Sequence, residues 1–370
     1  DFPLAQQMGA QWTRIEVPWL KVEATQGVYT WEVYDAAVNR AAELGNKILL
    51  LIHSAPTWAA EESCGPITDT AAFETFLAAA LARYGDKVDA WEFMNEPDGV
   101  APRPEYGPTI GCWAPYPDKY AEQLKLFYTK VKELDPTGKV MFGSLAYDDS
   151  KYFDSKFLSN VLSYGAGQYF DLLGIHFYPI NPERFPTAAT KLDEMRAMMS
   201  AQQVWNKEIW ITETSMWTNY NGSLEAQRRF ITRDLTRAFC AGAGNQFWFA
   251  IRQEGDANLV PRHRWLININ HQPDQAYDTY QVYAAQITGL TCRGAYTAVP
   301  GDVEAYRFTG SESALLYVLW ATGDNPSTVQ LPAQTGVTVT ARTGDAKEIA
   351  AQDGSVTLEV PTQGIYVAVH

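Results

Sequence analysis

From residue 12 onward, short apolar runs alternate with longer stretches of helical period. Runs rich in β-branched and aromatic residues occur at Trp12 to Val17, Lys47 to His53, Val88 to Asn95, Lys139 to Ala146, Asp171 to Tyr178, Glu208 to Thr214 and Asn245 to Arg252. Near-continuous apolar runs of this length are what strands buried on both faces require. Between them the period changes. Tyr34, Ala37, Val38 and Ala41 fall on one face of a helix that Gly45 is placed to stop, and Leu224, Gln227, Ile231, Leu235 and Ala238 make a second stripe with one polar lapse. Strand followed by helix, repeated, predicts an α/β protein with a parallel sheet, either a (β/α)8 TIM barrel or a doubly wound sheet. No Gly-x-Gly-x-x-Gly turn follows an early strand, which favours the barrel. A barrel needs eight strands and seven are visible. The chain opens on the helical stretch Pro3 to Ala10, so the first barrel strand is expected to be missing unless some other segment closes the gap.

After about Leu290 the pattern becomes short and alternating. Glu304 to Phe308, Ala314 to Trp320, Thr328 to Leu331, Val337 to Ala341, Ser355 to Val360 and Gly364 to Val369 are separated by Gly, Asp, Asn and Pro. This predicts a small C-terminal all-β domain of sandwich type. The expected division is 1–290 for the barrel and 291–370 for the sandwich, the latter a structural flank more readily than a sugar-binding module.

Charge and composition narrow the partners. With 29 basic against 43 acidic residues the net charge is -14, which repels nucleic acid phosphate and anionic membranes. No run of eighteen apolar residues occurs, and the opening residues lack the basic start and apolar stretch of a signal peptide, so the sequence reads as a mature or trimmed product. Cys64, Cys112, Cys240 and Cys292 show no Cys-x-x-Cys spacing, which disfavours zinc or a redox pair. Cys64 and Cys112 fall in long loops on one barrel face, while Cys240 ends a helix and Cys292 follows the next. Two disulfides in those pairings, and with them an extracellular or periplasmic setting, are expected against the alternative of four buried thiols. Asn221-Gly222-Ser223 matches a glycosylation sequon.

Active sites of such barrels are built at the C-terminal ends of the strands. The polar residues there are Arg14 and Glu16, His53, Asn95 and Glu96, His176 and Tyr178, Glu213, and Trp248 with Arg252. Two of these ends carry a glutamate: Trp91-Glu92-Phe93-Met94-Asn95-Glu96-Pro97 and Trp210-Ile211-Thr212-Glu213-Thr214. The pair resembles the catalytic glutamates of clan A glycoside hydrolases, whose acid/base ends strand four in an Asn-Glu motif and whose nucleophile ends strand seven. With one strand missing, the third and sixth visible strands take those places. The resemblance covers barrel and β domain and is nearest to family 39, with family 5 and its relatives as rivals. Met94 departs from the tryptophan common before Asn-Glu-Pro.

The resemblance implies a retaining β-glycosidase that needs no cofactor and no metal, acting on an oligosaccharide or polysaccharide. Acetal hydrolysis then needs a proton for the leaving oxygen and a carboxylate facing the oxocarbenium-like carbon. Glu96 would be the acid/base, held protonated, and Glu213 the nucleophile, held ionised by Arg14. Asn95 would bind the sugar 2-hydroxyl and Tyr178 would touch the nucleophile. His53 and His176 would line the site, His53 being more readily a plain core or loop histidine. Trp19, Trp58, Trp113, Trp217 and Trp248 also fall near strand ends, where indoles can pack on sugar C–H faces, and Trp248 is the one expected in the site. Exo action is the first expectation and endo action the second. A glycan-binding protein without catalysis is the reading from another class. No His-Glu-x-x-His or Gly-x-Ser-x-Gly motif supports metal or serine chemistry.

Overall fold

The structure is a computed structural model and describes residues 1–370 except 104–106, 148–150, 180–182, 219–221, 253–263, 274–275 and 312–313. The sequon asparagine, Asn221, lies outside the described residues. Seven parallel strands form one curled sheet: β1 (Trp12–Pro18), β2 (Lys47–His53), β3 (Ala90–Phe93), β4 (Lys139–Leu145), β5 (Leu172–Phe177), β6 (Glu208–Thr214) and β7 (Ala243–Trp248). They pair in sequence order, and β1 and β7 are not hydrogen-bonded to each other. The sheet is therefore a barrel left open along one seam. Burial follows the topology: β3 and β5 are buried at every position, whereas β1 and β7 are half-exposed at most of theirs.

Alternation along the strands sends every second residue inward. Leu49, Ala90, Met141, Leu172, Trp210 and Phe247 plug the N-terminal end, with Trp12 edge-on to Trp210 at 4.7 Å. Helices cover the outside. The stripe from Leu224 to Ala238 is two α segments, Leu224–Arg229 and Leu235–Cys240, joined by the π-turn Phe230–Asp234. The N-terminal helix, Phe2–Gln7, packs on the helix Tyr277–Ile287, where Tyr277 Oη donates to the Leu4 carbonyl at 2.7 Å.

β3 is shorter than its apolar run because Met94 and Glu96 adopt left-handed backbone, with φ of 67° and 44°. Positive φ is costly for side chains of this size and marks a backbone that its surroundings hold in place.

The C-terminal strands are β8 (Thr291–Ala295), β9 (Val303–Thr309), β10 (Leu315–Ala321), β11 (Ser327–Pro332), β12 (Gly336–Ala341), β13 (Ala346–Ala350), β14 (Ser355–Val360) and β15 (Ile365–Val369). A six-stranded sheet, β13-β12-β15-β10-β9-β8, faces the pair β11-β14 across a core that includes Leu319, Leu331, Val337 and Leu358. β8 and β13 were not foreseen: both are sheet edges, mostly exposed, with no apolar alternation to announce them. The outer face of the large sheet joins the barrel core through Phe308, Leu316, Val318, Trp320 and Tyr366. Arg237 crosses the same boundary to Glu304 at 2.6 Å.

Both disulfides are formed, Cys64–Cys112 and Cys240–Cys292, each with Cα atoms 5.3 Å apart. The first ties the loop after β2 to the loop after β3; the second ties the barrel helix Leu235–Cys240 to β8. No helix among the described residues is long and apolar enough to cross a membrane.

Candidate active site

Strand alternation stacks a polar layer above the aromatic plug. Arg14 from β1 and Glu92 from β3 point inward and pair, with Arg14 Nε 2.7 Å from Glu92 Oε2. Ser144 from β4 donates to Glu92, and its hydroxyl meets that of Thr212 from β6 at 2.5 Å. Above this layer lie the strand mouths. Between β5 and β6 the register slips by one residue, so His176 lies beside Glu213 instead of Thr212. An irregularity of this kind re-aims a side chain, and here it brings Glu213 to the site.

The two glutamates expected at strand ends face one another across a single imidazole. His176 Nδ1 is 2.8 Å from Glu96 Oε1, and His176 Nε2 is 3.5 Å from Glu213 Oε1. Glu213 also accepts from Arg14 Nη1 at 2.8 Å and from Tyr178 Oη at 2.7 Å. Arg14 Nη2 donates to Asn95 Oδ1 at 2.8 Å, and Asn95 Nδ2 donates to the Thr109 carbonyl. Arg14, Asn95, Glu96, His176, Tyr178 and Glu213 thus form one connected cluster.

Burial sets the protonation of these groups. It drives His176 down to about 4, so the ring is neutral at ordinary pH, and it holds the Tyr178 phenol far above its usual range. Burial, with Glu96 and Glu16 nearby, leaves the Glu213 carboxyl above its usual range, only partly offset by the Arg14 charge. Arg14 stays charged, because Glu92 and Glu213 outweigh its desolvation.

The remaining expectations divide. Trp248 lines the cleft, its indole N–H bonded to the Arg264 carbonyl at 2.8 Å. Trp217 lines it too and stacks on Tyr178 with centroids 5.7 Å apart. Trp19 and Trp113 are core residues with 1% and 0% exposure. His53 does not reach the cleft. It is buried, its Nδ1 meets the Ser54 hydroxyl at 2.8 Å, its Nε2 stands 3.8 Å from Glu16, and burial drives it down to about 3. It supports the wall instead of lining it. Arg252 pairs with the Asp1 carboxylate at 3.0 Å.

Two residues were missed. Glu92 sits mid-strand between Trp91 and Phe93, where a lone charge in an apolar run was its only signal. Asp98 is wholly buried two residues beyond Glu96, accepts from the Ala146 and Tyr147 amides, and is pushed up to about 8 by burial and by Glu96.

Arg14, Asn95, Glu96, Tyr178 and Glu213 line a cavity of about 1110 Å³ that also extends along the seam between β1 and β7, while His176 lies buried beneath them. Arg103, Thr109 and Ile110, from the loop that Cys64–Cys112 braces, form one wall. Among the described residues no group of three His, Cys, Asp or Glu side chains is arranged to hold a metal ion.

Residues 69–258 match the family described as glycosyl hydrolase catalytic core. Several solved structures share the fold. A family 39 glycoside hydrolase from the gut symbiont Bacteroides cellulosilyticus WH2 is 19% identical, with a TM-score of 0.79 over 100% of this chain and 77% of that one. A family 30 endoxylanase from Clostridium papyrosolvens C71 is 16% identical, with a TM-score of 0.71 over 99% and 91%. A family 39 β-xylosidase from Caulobacter crescentus is 14% identical, with a TM-score of 0.69 over 99% and 90%.

Proposed function

The chain belongs to the glycosyl hydrolase catalytic core family, and on that premise we propose that it is a retaining β-glycosidase of clan A in which Glu96 is the acid/base and Glu213 the nucleophile. The observation that carries this reading is that two glutamates, from strand ends on opposite sides of one barrel mouth, both contact the same buried imidazole. Retention itself is taken from the clan A resemblance: retaining enzymes hold their two carboxyls about 5–5.5 Å apart, which leaves no room for an attacking water opposite the leaving group.

In the first step the ionised Glu213 carboxylate bonds to C1 as the bond from C1 to the leaving oxygen breaks, and Glu96 gives its proton to that oxygen. In the second, Glu96 as carboxylate takes a proton from water, the water oxygen bonds to C1, and Glu213 departs. Two inversions leave the anomeric configuration unchanged. His176 suits both steps. A neutral imidazole has one donor and one acceptor nitrogen, so Nδ1 can accept from protonated Glu96, which leaves Nε2–H near Glu213 Oε1, 3.5 Å away, without a hydrogen bond to it. That tautomer keeps the proton on the acid and off the nucleophile. Arg14 and Tyr178 supply charge and a hydrogen bond to Glu213. Asn95, oriented by Arg14, would meet the sugar 2-hydroxyl, and Trp217 and Trp248 offer ring faces for the sugar.

The division into a catalytic barrel, 1–290, and a β domain, 291–370, accompanies this reading, as does an oxidising extracellular or periplasmic setting in which two disulfides persist. The exo reading rests on the braced loop that walls the cleft beside Asn95. A volume of about 1110 Å³, at the upper end of ordinary ligand pockets, favours the endo reading instead.

Aryl β-glycosides and β-linked oligosaccharides, offered to the wild type, Glu96→Gln and Glu213→Gln, test the proposal. The wild type should release the β-anomer first, and product length separates exo from endo action. Glu213→Gln should be inactive on every substrate. Glu96→Gln should lose about 10²–10⁴-fold on poor leaving groups and much less on activated aryl ones. Equal activity of Glu213→Gln and wild type would remove the nucleophile, and sugar retention without cleavage by all three would leave a binding protein.

A further inference from the structure

None of these steps uses Glu92, yet it is a fully buried carboxylate of the barrel. It has 0% exposure and sits on β3, one layer below the cleft. All its oxygens are occupied. Oε2 accepts Arg14 Nε at 2.7 Å; Oε1 accepts Arg14 Nη2 at 3.0 Å, the Ser144 amide at 3.1 Å and the Ser144 hydroxyl at 2.5 Å. Burial pushes this carboxyl up, but the Arg14 charge and hydrogen bonds more than offset that and keep it below the usual carboxylate range. A charge so placed is tolerated only when paired and hydrogen-bonded, which ties its place to that of Arg14.

The five guanidinium donors lie in one plane. Glu92 takes the Nε and Nη2 edge in the two-point manner that fixes the rotation of that plane. What remains is then aimed: Nη1 at Glu213 Oε1, 2.8 Å away, and the second Nη2 hydrogen at Asn95 Oδ1, also 2.8 Å away. We propose that Glu92 is a positioning residue, which clamps Arg14 so that one guanidinium addresses the nucleophile and the 2-hydroxyl-binding asparagine together. The proposal rests on the glycosidase reading of Glu213 and names the group that keeps its cation in register.

Charge and geometry pull in opposite directions, which makes the idea testable. If Glu92 mattered only as a nearby negative charge, neutralising it would make Glu213 easier to ionise, and the acid limb of the pH–rate profile would move down. If it holds Arg14 in place, its loss lets the guanidinium turn away, Glu213 becomes harder to ionise, and the limb moves up.

The experiment is kcat and KM against pH for the wild type, Glu92→Gln, Arg14→Met and the double variant, on an aryl β-glycoside the wild type cleaves. Glu92→Gln should lower kcat about 10²-fold, as misplacement of a catalytic group does, with KM little changed and the acid limb displaced upward. In the Arg14→Met background the same change should add less than about a threefold loss, since residues acting through one another are not additive. A stationary or downward limb, or a double variant showing the product of the two single losses, overturns the proposal. If circular dichroism shows Glu92→Gln unfolded, Ser144→Ala carries the test, because it removes one donor to Oε1 and leaves the charge. Its limb should move up by a smaller amount, and no movement overturns the proposal. A wild type inert toward every glycoside instead defeats the functional reading, and the role of Glu92 falls with it.

Discussion

Asp98 carries a prediction that concerns stability before catalysis. Its folded-state value of about 8 lies above the ordinary carboxylate value of about 3.9. The protonated form is therefore the one the fold prefers. Its contribution is complete below pH about 4 and is lost as pH rises through about 8. Asp98→Asn removes that titration. Urea midpoints at pH 5, 6.5 and 8 should fall less with rising pH in Asp98→Asn than in the wild type, and parallel profiles would show that the buried carboxyl does not titrate in this range. At this scale part of the candidate cluster was legible from polar side chains at strand ends, as with Glu96, Glu213, His176 and Tyr178. Glu92 was not legible, because its partner lies 78 residues away and nothing local marks the pair. His53 also ends a strand, but it is buried between Ser54 and Glu16 and is not among the residues that line the cleft.

At the scale of elements, Gly143 shows how tightly the mouth of β3 is set. A Cβ there would stand 2.3 Å from the carbonyl oxygens of both Phe93 and Met94. Gly143→Ala must push β4 away from the turn that carries Glu96. A cost of about 1–3 kcal/mol, the range for forcing a methyl into packed structure, should appear in the melting temperature. A loss of kcat should accompany it. A variant with wild-type Tm and kcat would show that the mouth yields easily and that the left-handed backbone at Met94 and Glu96 needs no such neighbour. Most strands were legible from apolar period, since buried parallel strands leave a nearly continuous signal. The register slip that seats Glu213 beside His176 was not, because pairing between strands is set by contacts that no single segment contains. The edge strands β8 and β13 escaped for want of a buried face.

Across the whole molecule, barrel and β strands share one core. Removing residues 291–370 would strip Phe308, Val318, Trp320 and Tyr366 from the barrel helices, along with the Arg237–Glu304 pair and the Cys240–Cys292 bond. A chain ending at 290 is therefore expected to aggregate or to lose its cooperative melt, as followed by light scattering and calorimetry. A soluble, active barrel with the full-length Tm would mean that the shared core adds nothing. The open seam has a different bearing. Glu96 and Glu213 rise from β3 and β6, which an unbroken run of hydrogen-bonded strands connects, while Arg14 and Trp248 stand on β1 and β7, joined by no ladder between them. The two glutamates are thus tied through the ladder of β4 and β5, whereas β1 and β7 each present a free edge along the seam. Backbone amides on those two edges are expected to exchange with solvent faster than those of β4 and β5.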